Sequence, residues 1–152
     1  MNWSRLTQNE KLAVYGSAAV IIGAAIGGAA SALGWLALLA ALAMLAVVFL
    51  PQMSPQTSLP GSKGSLMVAL GGIAAVVMLL GLLTAIAWLG LYFSILPLQA
   101  IFFLLAVAGG LVMGWAGWQE FQAEGGKFQI GTPSGGSGTP PPPPPAGPPP
   151  SA

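Results

Sequence analysis

Two long stretches of this chain, 12–50 and 64–119, contain no charged side chain, and polar positions within them are sparse. As one helix rising ~1.5 Å per residue, the first would measure about 58 Å, roughly twice the ~30 Å hydrocarbon core of a bilayer. The chain therefore has to turn inside each stretch. In the first, a turn is easiest at "GGAASALG", where Gly27, Gly28 and Gly34 accept backbone angles that other residues resist and Ser31 can bond nearby backbone. In the second the break falls at "YFSILPLQ", because Pro97 disfavours helix at Leu96 and can open the next helix as its first residue. The pattern predicts four helices, at 8–28, 33–50, 65–91 and 98–118.

Their ends are marked as well. Thr7 and Glu10 in "TQNE" stand at capping-box spacing, so each side chain can satisfy an orphan backbone N–H of the other. Leu6 is opposed by Lys11, so the hydrophobic staple that often accompanies such a box is missing. The segment "PQMSPQTSLPGSKG" between the two hairpins reads as a loop in water. Gly125 and Gly126 end whatever helix continues from the fourth span. The fold class is all-α: a four-span transmembrane bundle of two helical hairpins over 1–118, a juxtamembrane segment at 119–131, and a disordered tail at 132–152 rich in Pro, Gly and Ser.

Composition agrees with a membrane assignment: 55% of residues are hydrophobic, 5% are charged, and mean hydropathy is +0.83. A net charge of +1 offers no electrostatic hold on nucleic acid. Neither cysteine nor histidine occurs, which removes disulfides, thiolate chemistry, haem attachment and the usual zinc sites. No metal and no cofactor is expected. Arg5, Lys11, Lys63 and Lys127 all fall on one side of a four-span chain, and the two hairpin turns opposite carry no charge. The positive-inside rule then places both termini and the middle loop in the cytoplasm. Trp35, Trp88 and Tyr92 mark the uncharged side, and Trp3, Trp115 and Trp118 the charged one; packing between helices would equally account for Trp88 and Trp115.

A secretory signal would need a basic start, an apolar stretch and a small-residue site, and "ASA" at Ala30 to Ala32 supplies the last. Such a triplet arises readily in a chain this rich in alanine, and a strongly apolar span follows it, so the reading keeps four spans. Cleavage after Ala32 would leave three, with only the N-terminus moved outside.

Within the spans, Ala19, Gly23, Gly27 and Ser31 recur every four residues and share a helix face, and Ala106, Gly110 and Gly114 repeat the pattern on the fourth span. Small residues at this spacing let another backbone approach closely, which makes a helix-packing seam within one chain or between copies. Beyond Glu10 and Lys11 in the opening turn of the first helix, no Asp, Glu, Lys, Arg or His falls inside a span, although proton relays, ion pathways and voltage sensors usually need ionisable groups at depth. The chain resembles the small multidrug transporters in size and four-helix layout but lacks their membrane-embedded glutamate. Polar groups at depth reduce to Ser17, Thr84, Ser94 and Gln99, and hydroxyls such as those of the first three more often bond the preceding helical turn than a ligand. No histidine is present to activate a serine or threonine, so no enzyme is expected and no catalytic residue is assigned. Glu120 and Glu124 read as the solvated end of the last helix.

The tail carries Pro140, Pro141, Pro142, Pro143, Pro144 and Pro145, a run that forms a polyproline II rod of about 19 Å at ~3.1 Å per residue. A preformed rod suits docking on aromatic-lined grooves, and a plain spacer is the alternative. "KFQIG" before it alternates polar and apolar residues, so Phe128 and Ile130 can share one side of a short extended segment. The N-terminal "RLTQNEKLAVYG", with its "RLTxxE" helix start, the four uncharged spans and the Pro/Gly tail resemble functionally uncharacterised small four-helix membrane proteins of bacteria. That resemblance implies a bacterial inner-membrane location and transfers no active-site residue. The expected role is an interaction or scaffolding subunit in the lipid bilayer, with membrane-protein partners, a second copy or a tail-binding protein as its contacts. The alternative is an oligomeric pore or transport component lined by Ser17, Thr84 and glycine backbone.

Overall fold

The computed structural model describes residues 3–27, 32–54 and 61–128. Five α-helices run through them: α1 (Gln8–Gly27), α2 (Ala32–Met53), α3 (Lys63–Ala85), α4 (Leu89–Ile95) and α5 (Pro97–Ala123). Four long stretches, Gln8–Gly27, Leu33–Met53, Lys63–Ile95 and Pro97–Ala123, are long and apolar enough to cross a membrane. The molecule is a four-span helical bundle of a multi-pass membrane protein.

Local chemistry accounts for most boundaries. A single 3-10 turn at Trp3–Arg5 leads into α1. There the Thr7 backbone N–H donates to Glu10 Oε2 at 2.6 Å and the Glu10 N–H donates to Thr7 Oγ1 at 3.2 Å, which completes the capping box. Leu6, without a staple partner at Lys11, is buried to 5% exposure in the core instead. α2 runs through Met53, three residues beyond its predicted end, with Pro51 in its last turn. Proline forfeits one helical hydrogen bond, and the ladder resumes with the Ser54 N–H donating to Leu50 at 2.9 Å. α3 is capped by Ser62, whose Oγ accepts from the Ser65 N–H at 3.2 Å.

The third span departs from a single uninterrupted helix. A 3-10 turn at Ile86–Trp88 separates α3 from α4, where the chain outruns the bundle and its side chains, apart from half-buried Leu89, are exposed. Little besides α5 packs there to hold a straight helix, and a tighter turn is a common outcome. Leu96 then leaves the helical region (φ −133°, ψ 62°) and Pro97 opens α5. At the far end of α5 the Gly126 N–H donates to Phe121 and the Gly125 N–H to Gln122, both at 3.0 Å, with φ of +68° and +93° at the two glycines. This is a Schellman closure, and it needs glycine because a side chain resists those angles.

α1, α2, α3 and α5 alternate in direction, each packs on its neighbour in the chain, and α5 closes the ring against α1. The interior is built from small and flexible residues: Met44, Met67, Met113, Val20, Val48, Ser17 and Ser65 are the largest side chains buried completely. The bulky ones point outward, among them Ile22, Leu39, Ile73, Leu83, Ile101 and Leu111. In water such a surface would be an apolar patch far beyond what a soluble monomer exposes. In lipid it faces a solvent as apolar as itself, and small residues are what bring the backbones together.

Candidate functional site

The described carboxylates and lysines gather at one end of the bundle. Lys63 Nζ, in the first turn of α3, donates to Glu10 Oε1 in an ion pair, and the carboxylates of Glu120 and Glu124 lie within coulombic range of the same ammonium. Asn9 Nδ2 donates to Glu120 Oε2 at 3.1 Å. Ser65 Oγ donates to the Lys127 carbonyl at 3.5 Å, beyond the Schellman turn. The Phe128 ring lies tilted against buried Phe121 with centroids 4.5 Å apart, and Trp118 approaches Phe121 at 6.2 Å. The starts of α1 and α3 and the end of α5 are therefore tied together. Glu10 thus serves two structures at once, through one oxygen in the capping box and the other in the ion pair. Glu120 and Glu124, read from sequence as a plain solvated helix end, belong to this network. Lys63, expected in the loop between the hairpins, instead stands in the first turn of α3, where a lysine opposes the macrodipole and is favoured by a nearby anion. Among the described residues no group of ligating side chains is placed to hold a metal ion.

The small-residue stripes occupy two separate contacts. A Cβ added at Gly23 would stand 2.6 Å from the Ala106 N and one at Gly27 2.7 Å from the Phe103 N, so this face of α1 meets α5 backbone to backbone. Gly109 belongs to the same contact, where an added Cβ would meet the Gly16 carbonyl at 2.7 Å and the Ala19 Cβ at 2.8 Å. Gly110 and Gly114 turn instead toward α3, with Met78 and Ala75 at 2.9 and 3.0 Å. Gly71 there abuts the Met113 carbonyl, and Gly117 abuts the Met67 carbonyl. A four-residue step overshoots a helical turn by about 40°, so across two steps the face rotates by about 80° and changes neighbour. Gly16, Gly71, Gly109 and Gly117, absent from the sequence-derived stripes, make contacts as close as those named. Adjacent Gly109 and Gly110 serve one neighbour each.

The hydroxyls at depth bond within their own helices. The wholly buried Ser17 hydroxyl donates to the Ala13 carbonyl at 2.7 Å, Thr84 to Gly81 at 2.9 Å and Ser94 to Leu91 at 2.9 Å. Trp88 and Trp115 are each 61% exposed, so neither is buried between the helices of this chain. Trp3 meets Tyr15 edge-on at 5.7 Å at the charged end.

At the opposite end the bundle opens. A cavity of about 440 Å³ lies among the last turn of α1, the start of α2, the end of α3, α4 and the first turns of α5, walled by Gly27, Gly81, Thr84, Trp88, Tyr92 and Phe103. No ionisable carboxylate, ammonium or guanidinium group lines it. Ser31, Ile130 and the run from Pro140 to Pro145 lie outside the described residues, as does the Ala30 part of the small-residue triplet. Compared with protein-family models, with curated proteins and with solved structures, the chain matches none.

Proposed function

We propose that this protein is a non-catalytic interaction or scaffolding subunit of a bacterial inner membrane, with the tied, charged end in the cytoplasm and the proline-rich tail as its docking element. The observation that carries this reading is the way α5 ends. The Schellman turn, the Lys127 carbonyl on Ser65 and the Phe128 ring on Phe121 hold the chain against the bundle up to residue 128. The tail is launched from an anchored point beside α3 and the start of α1. A segment offered to a partner from a fixed base needs such an anchor, whereas a compositional remnant does not. The basic residues of the same end support its cytoplasmic placement.

The test is a crosslinking pull-down from native membranes, comparing the intact chain with one ending at Gly131, with bound proteins identified by mass spectrometry. The expected outcome is a set of partners captured by the intact chain and lost on truncation. An identical partner list from both forms would reduce the tail to a spacer and refute its docking role.

A further inference from the structure

We propose that the cavity at the uncharged end binds an acyl chain of a bilayer lipid, with Trp88 and Tyr92 at the level of the lipid's polar region. Three observations carry this. The first is the chemistry of the wall. Its side chains are aliphatic or aromatic apart from Thr84, and the Thr84 hydroxyl is already engaged with the Gly81 carbonyl at 2.9 Å. Ordered water needs two to four polar partners, and beyond Thr84 the side chains of this wall offer only the Trp88 N–H and the Tyr92 hydroxyl. About 440 Å³ falls within the range of small-molecule sites, which are mostly apolar with a few polar groups that set orientation.

The second is Gly81. In the packed seams a glycine leaves room for a neighbouring backbone, as at Gly23 and Gly109. At Gly81 an added Cβ would meet nothing within 4 Å, so no described residue accounts for the missing side chain. Glycine inside a helix is less favourable than alanine, and here it keeps open the wall of the cavity. Gly72 and Gly90 are equally open but do not line it.

The third is position. The cavity lies where the third span has outrun the bundle, between helices whose outer surfaces face lipid. Hydrocarbon is the abundant apolar ligand at that depth. The Trp88 indole N–H and the Tyr92 hydroxyl have no hydrogen-bond partner among the described residues, and amphipathic rings of this kind favour the membrane interface. An acyl chain can enter the cavity while its ester and headgroup stay beside these two polar handles.

The experiment uses the full chain in phosphatidylcholine nanodiscs doped with a phosphatidylcholine carrying a photoreactive diazirine on one acyl chain, with adducts mapped by mass spectrometry. The expected result is adducts concentrated on the segments around Gly81, Trp88 and Phe103, above the level on the open lipid-facing surface of α2 at Leu36 and Leu39. Gly81→Leu, whose side chain has room to enter the cavity, should abolish that excess and leave the α2 adducts unchanged. Gly72→Leu, on the same helix but away from the cavity, should alter neither. Labelling of the wild-type cavity no stronger than that of α2 would overturn the proposal whether or not the variants fold. Loss of the lipid adducts on these segments as the number of copies per nanodisc is raised from one to two would overturn it in favour of a second copy as the occupant. Neither result bears on the tail, so this inference stands or falls separately from the docking role.

Discussion

The two ends of the bundle solve opposite problems. At one, α1, α3 and α5 meet through hydrogen bonds and charge: the Glu10–Lys63 ion pair, the Asn9–Glu120 bond and the Ser65–Lys127 contact. At the other, Trp88, Tyr92, Ile95 and Leu98 lie exposed around a cavity, and α4 packs on little besides α5. A polar end can be locked by directional bonds because water competes for them only in part. An end that sits in or against hydrocarbon has only shape to work with, and shape leaves room where the chain does not fill it. Between the ends, glycine contacts hold the helices at backbone distance.

The largest effect should come from filling that middle. Gly109→Leu would drive a side chain into the Gly16 carbonyl, and Gly117→Leu into the Met67 carbonyl. Overpacking a core costs about 1–3 kcal/mol, and more where the obstacle is backbone. Each variant should lose its compact fold at a lower denaturant fraction in SDS titrations from mild detergent. Wild-type behaviour in both would mean that the seams do not hold the bundle.

Next in size is the charged end. Lys63→Met leaves Glu10 buried and unpaired beside Glu120 and Glu124, and should destabilise by about 1–3 kcal/mol, less than at a fully buried pair because Lys63 keeps some contact with solvent. Glu10→Gln preserves the capping reach while removing the charge, so in the Lys63→Met background it should recover much of the loss. A double-mutant cycle on unfolding free energies reads the coupling directly. Strictly additive losses would break the contrast between the two ends, since the polar contacts would then lock nothing.

The smallest effect has the opposite sign. At Gly72 a Cβ meets nothing within 4 Å, so Gly72→Ala should stabilise by about 0.5–1 kcal/mol through helix propensity alone. A loss in the same SDS titration would reveal a neighbour at that face, such as another copy, and would sharpen the distinction between packed and open glycines.

Much of this architecture is legible along the chain because it follows from local constraints. A charge-free stretch about twice the thickness of a bilayer has to turn, Pro97 has to start a helix rather than continue one, and Thr7 and Glu10 can cap one by themselves. Gly125 and Gly126 could be read as a stop because the positive φ they adopt is a property of single residues. The choice of neighbour is different. Ala106 faces α1 while Gly114 faces α3, although both belong to one four-residue stripe, because the stripe winds around the helix and only the placed partners say where one contact ends. The Glu10–Lys63 pair joins residues 53 positions apart, a distance over which no periodicity carries information. The 3-10 break at Ile86–Trp88 and the cavity beside it follow from where the other helices stop. Local chemistry decides how each span begins, runs and ends; the closing of α5 against α1 and α3 decides which small faces are filled by backbone and which stay open.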